Sequence, residues 1–210
     1  MKLFDMEKAP NPRRVRIFLA EKGIDIGRVE IDIPGGANLA PDYLAINPRG
    51  VVPTLLLDDG SIIDESVAIY RYFECLHPEP NLMGRDAVET ARIESWQRHM
   101  EFDGMFSVAS VFRNEAAPFA NRGMPGAMPA LPAIPALAER GRALTAHFLE
   151  MLDSRLAESE FVAGDRYTIA DISALVTIDF AKWVRIRVPE EHTHTKRWYA
   201  AVSARPSAKA

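Results

Sequence analysis

The sequence predicts two domains, an α/β domain followed by an all-helical domain. Over roughly the first 80 residues, short segments with strand-like alternation and segments with helical apolar spacing follow one another. From about residue 86 onward the apolar spacing is helical almost throughout. The stretch between them, "HPEPNLMG", is rich in proline and predicts a linker. We therefore expect an α/β domain over 1–78, a linker over 79–85 and a helical domain over 86–210.

The α/β domain is predicted to have the order β-α-β-(α)-β-β-α with a mixed sheet. "KLF" and the alternating "RVEIDI" suit strands, and a helix over 12–22 should stop at Gly23. "PGGANLAPDYLAINPRG" predicts a loop with at most a short helical turn. "VPTLLL" and "SII" flank an Asp-Gly pair and predict a hairpin. "DESVAIYRYFECLHP" has acids in its first turn and a proline beyond its end, as a helix does.

In the second half, "VETARIESWQRHMEFDGMFSVASVFRNEAAP" predicts a long helical segment. Residues 118–135 contain five prolines and cannot continue a helix, so they predict a long loop. Helical spacing resumes over 136–158, and two further helices should follow. In "GDRYTIADI", Thr168 as N-cap and Asp171 three residues later predict a capping box, which we assign to folding.

Composition excludes several functional classes. The hydrophobic content of 48% and charged content of 26% are those of a soluble globular protein. A net charge of −4 argues against a nucleic-acid partner, and the basic clusters "NPRRVR" and "KWVRIR" favour solvated helix faces. No apolar run approaches the roughly 18–20 residues that span a bilayer, so no membrane association is expected.

The single cysteine excludes an intramolecular disulfide framework and, with acids interrupting the N-terminal apolar run, favours a cytoplasmic protein. Cys75 lies near the end of a predicted helix and is interpreted as a buried or half-buried structural thiol. His192 and His194 have no further ligand nearby, so we predict surface histidines and no metal site.

Two short motifs could bind a ligand. If the Val52–Pro53 bond is cis, the N–H and C=O of Val52 are free to pair with an extended peptide-like ligand; the alternative is a proline that starts a strand. Glu65 and Ser66 open a helix, where free N–H groups suit a carboxylate and the Glu65 side chain suits an ammonium. The alternative there is an ordinary helix cap.

The joint occurrence of "VVPTLLLDDGSIIDESVAIYRYF", "GDRYTIADI" and the ending "TKRWYAAVSARPSAKA" resembles the glutathione transferase superfamily, in its bacterial theta- or nu-like branch. The resemblance covers essentially the whole chain. It implies a thioredoxin-like N-terminal domain, an all-α C-terminal domain and a homodimer with its active site between the domains. It also implies glutathione as a co-substrate and no other cofactor.

By position, the resemblance implies that Pro53 is the cis-proline and that the Val52 backbone pairs with the cysteinyl unit of glutathione. Glu65 and Ser66 would hold the γ-glutamyl head, and Asn38 would contact the glycyl carboxylate. At Val51 several classes have Lys or Gln for the same carboxylate, so that contact is expected to be missing.

The family normally stabilises the glutathione thiolate with Ser, Tyr or Cys, but the position of the usual Ser is Ala9 here. Two residues on, Asn11 can donate from its amide to the sulfur. Nu-like members have "TPNG" where this chain has "APNP", so Pro10 and Asn11 match. The alternative is that Asn11 only N-caps the first helix ahead of Pro12.

The resemblance places an electrophile pocket along the first long helix of the helical domain, although a Met/Phe stripe is also typical of a core. Three functions stay open: conjugation of glutathione to small hydrophobic electrophiles, glutathione-dependent reduction of disulfides or peroxides, and glutathione binding without catalysis. The pocket candidates are Met100, Met105, Phe106, Phe112 and Arg113, the last as an anion contact.

Overall fold

The computed structural model describes all residues 1–210. Its N-terminal domain is built on a four-stranded mixed sheet. The strands are ordered β2-β1-β3-β4, with β1 parallel to β2 and antiparallel to β3. β3 and β4 form the predicted antiparallel hairpin, in which Thr54 pairs with Asp64. The strand bounds are β1 (Lys2–Asp5), β2 (Gly27–Glu30), β3 (Thr54–Leu56) and β4 (Ile62–Asp64).

Three helices complete this domain. The first, α1 (Pro10–Lys22), ends at Gly23, whose φ of 65° is the left-handed conformation that terminates helices. The second, α2 (Pro41–Ile46), is a six-residue helix and thus longer than the short turn expected from the sequence. The third, α3 (Ser66–Leu76), follows β4 directly and packs against α1.

The C-terminal domain contains only helices, as the sequence predicts. Its first two helices are joined without a break by a π-helical turn over Met100–Met105. Within that turn a Cβ on Gly104 would lie 2.7 Å from the Phe148 ring, so the glycine allows this close approach. None of the helices combines the length and apolar character required to cross a membrane. The helices are α4 (Ala87–His99), α5 (Phe106–Glu115), α6 (Pro135–Glu158), α7 (Ile169–Trp183) and α8 (Thr193–Ser203).

The two domains share a hydrophobic core in which α1 packs against α7. The arginines of the "NPRRVR" cluster are buried or half-buried, so the prediction of a solvated helix face is wrong there. Arg14 is 3% exposed and Arg16 is 5% exposed. Both arginines have a carboxylate partner: Arg14 pairs with Glu101 of the helical domain at 2.5 Å, and Arg16 pairs with Asp5 of β1 at 2.7 Å. Half-buried Arg13 pairs with Asp179 of the helical domain at 2.7 Å. Helix α1 is covered by both domains, and ion pairing makes its buried charges tolerable.

The loop over 118–135 also connects the domains. Its backbone N–H at Ala127 donates to the carbonyl of Arg49 at 2.8 Å, and Arg122 donates to the carbonyl of Ile33 at 2.9 Å. Gly126 has a φ of 81°, and a Cβ there would lie 2.3 Å from the Arg49 carbonyl oxygen. The glycine therefore permits the loop to lie against the N-terminal domain.

The start of α7 has the predicted capping box, with reciprocal bonds between Thr168 and Asp171. Asp171 also accepts hydrogen bonds from the Val162 N–H at 2.9 Å and from the Trp198 indole at 2.8 Å. Burial raises the pKa of Asp171 to about 6, against the lowering effect of these hydrogen bonds. The carboxylate thus joins the α7 cap to α8 and to the loop before α7.

We expect Asp171→Asn to lower the free energy of unfolding by about 2–4 kcal/mol, because either orientation of the amide turns its NH₂ toward donors. Urea unfolding followed by circular dichroism measures the loss. The control is Asp165→Asn, which removes an exposed carboxylate of the same loop that makes no ion pair. Equal stability of the two variants would contradict the structural role of Asp171.

Candidate active site

A cleft of about 1270 Å³ lies between the two domains. The N-terminal domain contributes the turn between β1 and α1 together with one face of α3. The helical domain contributes the π-helical turn, α5, part of the 118–135 loop and the end of α7. Eighteen of the 33 lining residues are hydrophobic, so the cleft suits an apolar ligand with a few polar contacts.

The turn between β1 and α1 places Asn11 at the mouth of this cleft. Ala9 is the N-cap of α1 and Pro10 is the first helical residue, so Asn11 is the second. The alternative that Asn11 N-caps the helix ahead of Pro12 is therefore wrong. Since Pro10 and Pro12 have no N–H, Asn11 supplies the only free backbone donor among the first three helical positions.

The side-chain amide of Asn11 has a defined orientation. Arg14 donates through Nη1 to Asn11 Oδ1 at 3.1 Å and through Nη2 to Glu101 Oε1 at 2.5 Å. With Oδ1 accepting from the guanidinium, the Asn11 Nδ2 donor has no partner within the chain and is available to a ligand atom. Asn11 is exposed, and both it and Ala9 line the cleft.

Arg14 is a site residue that the sequence analysis missed. Burial by itself would lower its pKa, but the neighbouring Tyr70 hydroxyl and the Glu101 carboxylate together hold the pKa above its ordinary value. The guanidinium therefore stays charged directly behind Asn11. The available signal was an arginine one helical turn after Asn11, on a helix with apolar neighbours at Val15 and Phe18.

The Val52–Pro53 peptide bond is cis. Neither the N–H nor the C=O of Val52 takes part in the loop or side-chain hydrogen bonds of the chain. Because Thr54 pairs with Asp64 across the β3–β4 ladder, Val52 and Glu65 lie at the same end of the sheet. An extended backbone could pair with Val52 there as an antiparallel strand would.

Helix α3 begins at that same end and has no side-chain cap, which argues against the ordinary-cap alternative for Glu65 and Ser66. The N–H groups of Ser66 and Val67 are therefore free, and Glu65 and Val67 line the cleft. Glu65 has a φ of 70°, a conformation that costs a non-glycine residue free energy and that clusters at ligand sites. The Ser66 hydroxyl donates to the Asn11 carbonyl at 3.2 Å and thereby connects the starts of α3 and α1.

The predicted contact of Asn38 with a ligand carboxylate is not supported. Its side chain is 1% exposed, donates to the Gly50 carbonyl at 2.7 Å and accepts from Arg122 at 3.2 Å, so it stabilises a turn below the cleft. At Val51, the side chain offers no donor. Lys8, which the sequence analysis also missed, lines the cleft and forms no ion pair.

Four of the five electrophile-pocket candidates line the cleft. Met105 is nearly buried in its wall, whereas the Phe106 side chain is 58% exposed. Met100 is an exception: it is fully buried in the core cluster, so its assignment to the pocket is wrong. Met100 is the first residue of the π-helical turn, and its side chain faces the core. Helical spacing alone cannot distinguish a residue that faces the core from one that faces the cleft. The lining candidates are Met105, Phe106, Phe112 and Arg113.

The cleft continues as a groove between α3 and the start of the π-helical turn. Cys75 is exposed there, so the prediction of a buried or half-buried thiol is wrong. Next to it Leu76 is 54% exposed, and across the groove Phe102 is 64% exposed. The end of α3 thus leaves an apolar surface open to solvent.

The fold is that of a two-domain protein in which a thioredoxin-like sheet domain is joined to an all-helical domain, with a cleft between them. Residues 3–81 match the family model described as glutathione S-transferase, N-terminal domain, and residues 120–206 match glutathione S-transferase, C-terminal domain. The chain belongs to the glutathione S-transferase family.

Similar proteins agree with this assignment. Glutathione S-transferase 2 of Saccharomyces cerevisiae is 34% identical over 215 aligned residues, which cover 100% of this chain and 88% of that protein. The crystal structure of Gtt2 from the same organism has a TM-score of 0.91 at 32% identity and covers 100% of this chain and 99% of that one. A glutathione S-transferase domain-containing protein from Marinobacter aquaeolei has a TM-score of 0.91 at 34% identity, with 99% of each chain covered.

Proposed function

We propose that this protein is a glutathione transferase that conjugates the glutathione thiolate to small hydrophobic electrophiles. The observation that carries the proposal is the uncapped start of α3 beside the unpaired backbone of Val52. Together they offer an anion site and a strand-pairing edge at the end of the sheet where Glu65 and Val67 line the cleft. Relatives named glutathione S-transferase support transferase activity in general, without specifying the electrophile.

Two parts of glutathione, the γ-glutamyl head and the cysteinyl unit, have complementary groups at this end. The free N–H groups of Ser66 and Val67 suit the γ-glutamyl carboxylate, and the Glu65 carboxylate suits the ammonium group. Glu65 also pairs with Arg49 at 2.8 Å, but 64% of its side chain is exposed and remains reachable. The N–H and C=O of Val52 would pair with the cysteinyl backbone. This pairing directs the thiol toward the start of α1.

At that position the thiol must lose its proton. A free thiol has a pKa of roughly 8.5, and lowering it by two units requires about 2.7 kcal/mol of preferential stabilisation of the thiolate. Hydrogen bonds to a charged group contribute about 1.5–3 kcal/mol each. The Asn11 Nδ2 donor, the Asn11 backbone N–H and the charge of Arg14 are thus of the right size to supply it.

The thiolate then attacks the electrophilic carbon and forms a C–S bond. In a substitution, the leaving group departs with the bonding electron pair; in an addition to a conjugated ketone, the electrons move to the oxygen and a solvent proton ends on the α carbon. Met105 and Phe106 line the cleft. Their apolar surface binds the electrophile and excludes water from the sulfur.

We also propose a homodimer. The open apolar surface formed by Leu76 and Phe102, at the end of α3 and in the π-helical turn, suits a second copy of the chain. Light scattering is expected to give twice the chain mass of 23.4 kDa. A monomeric mass across micromolar concentrations would contradict this proposal.

Calorimetry with glutathione tests the binding site directly. Glu65→Ala is expected to weaken glutathione binding about tenfold or more, because the ligand ammonium loses a charge-assisted hydrogen bond. Arg49→Ala serves as the control, since it removes the same ion pair from the other side and leaves Glu65 free. Equal weakening in both variants would show that Glu65 acts only through Arg49.

Activity assays then separate the possible functions. Conjugation of chlorodinitrobenzene would support a transferase. Turnover of 2-hydroxyethyl disulfide without conjugation would identify a reductase instead. Glutathione binding without either activity would indicate a binding protein, and no glutathione binding at all would overturn the site assignment.

A further inference from the structure

The end of the cleft between α5, the 118–135 loop and α7 is lined by aromatic rings. The Phe112 ring lies 5.1 Å from Phe119, 5.4 Å from Phe180 and 5.8 Å from Trp183, measured between centroids. All four line the cleft, and half of the Trp183 side chain is exposed. These rings come from α5, the 118–135 loop and α7, so they form a subsite that belongs to the helical domain.

Arg113 enters this aromatic subsite without an acidic partner. Its guanidinium lies 4.6 Å from the Phe119 centroid and donates to the Arg122 carbonyl at 3.2 Å. Arg122 lies over the same ring at 5.4 Å and forms no ion pair either. Burial, followed by the charge of Arg122, lowers the pKa of Arg113 to about 10.

The arginines of α1 are different, because each has a carboxylate partner. Arg13, Arg14 and Arg16 each have a carboxylate within 2.7 Å. The acid nearest to Arg113 in sequence, Glu115, pairs instead with Arg142 at 2.6 Å. A half-buried cation with no counter-charge, beside a second cation and an apolar wall, is a receptor for an anion.

Arg140 on α6 adds a further positive charge at this end. It lines the cleft, is exposed and forms no ion pair. The acids that line the cleft, Glu65 and Glu101, are both paired with arginines of their own. This end of the cleft is therefore cationic and aromatic. Neither Glu65 nor Glu101 neutralises it, because each is paired with another arginine.

We propose that this subsite binds the carboxylate of the electrophile, so that the preferred acceptors are aromatic or long-chain electrophiles bearing a carboxylate. The identity of the ligand as an electrophile rests on the proposed transferase function, whereas the anion site itself does not. Glu101 pairs with Arg14, which also bonds Asn11, and Arg113 follows Glu101 by twelve residues, or roughly 18 Å along a helix axis. The carboxylate and the reacting carbon therefore belong at opposite ends of an extended molecule.

Binding of an inert ligand tests the anion site apart from catalysis. Biphenyl-4-acetate is expected to bind at least tenfold more tightly than biphenyl-4-acetamide, as measured by calorimetry. Arg113→Met should bring the two affinities within about twofold of each other, and Arg113→Lys should restore part of the difference. Arg92→Met is the matched control, because Arg92 is an exposed arginine of α4 that lies outside the cleft and forms no ion pair.

Kinetics then test the substrate class. We expect the ratio of kcat/KM for ethacrynic acid to that for its methyl ester to fall about tenfold in Arg113→Met and to be unchanged in Arg92→Met. No preference for the acid in the unsubstituted protein, or a preference that survives Arg113→Met, would overturn the proposal. Arg113-dependent carboxylate binding without conjugation would support the anion site while refuting the transferase function.

Discussion

Asn11→Asp is expected to lower kcat/KM near neutral pH by about a hundredfold or more, because it raises the pKa of the bound glutathione thiol. The aspartate keeps one oxygen on the Arg14 guanidinium, which donates to Asn11 Oδ1 at 3.1 Å. Its other oxygen replaces the Nδ2 donor and faces the sulfur with negative charge. The loss of a hydrogen bond to a charged acceptor and the added repulsion together amount to about 3–5 kcal/mol.

The thiol pKa is measured from the ultraviolet absorbance of the thiolate against pH in the binary complex. Asn11→Ala should raise this pKa by less than Asn11→Asp does, since it removes the donor without adding charge. Asn121→Asp is the control for net charge, because Asn121 is exposed on the 118–135 loop and does not line the cleft. A thiol pKa that is the same in Asn11→Asp and in the unsubstituted protein would refute the role of Asn11.

The sequence predicts best what depends on neighbouring residues. The Thr168–Asp171 capping box and the end of α1 at Gly23 are set by positions within a few residues of one another, and both are confirmed. The first residue of α1 is harder to predict from the sequence, since Pro10 and Pro12 suit the first helical position equally well. The structure places Pro10 there, so Ala9 becomes the N-cap and Asn11 is freed from capping.

The buried arginines show why other parts of the site could not be predicted. Arg14 reaches Glu101, which is 87 residues away, and Arg13 reaches Asp179, which is 166 residues away. No local pattern reveals such pairs, so a basic cluster is interpreted as solvated until the fold brings its acids near. Met100 and Arg113 are likewise both pocket candidates on one predicted helical segment, yet Met100 faces the core and Arg113 faces the cleft.

The pair of Arg14 and Glu101 also predicts how stability and thiolate formation can be separated. Glu101→Leu leaves the guanidinium of Arg14, which is 3% exposed, without its carboxylate partner. Breaking a buried pair from one side costs about 3–5 kcal/mol of unfolding free energy. Glu94→Leu on the preceding helix α4 is the control, because Glu94 pairs with Arg71 and Arg98 at the surface and such pairs contribute about 0–1 kcal/mol.

Arg14→Met combined with Glu101→Leu removes both charges, so we expect urea unfolding to show much of the lost stability restored. The pKa of the bound glutathione thiol should nevertheless be higher in this double variant than in the unsubstituted protein. No guanidinium remains there to hold Asn11 Oδ1 or to place positive charge behind the amide. A double variant with restored stability and an unchanged thiol pKa would show that Arg14 serves the fold alone. Restored stability with a raised thiol pKa instead assigns Arg14 to thiolate stabilisation, through Asn11 or through its own charge, since the recovered fold excludes unfolding as the cause.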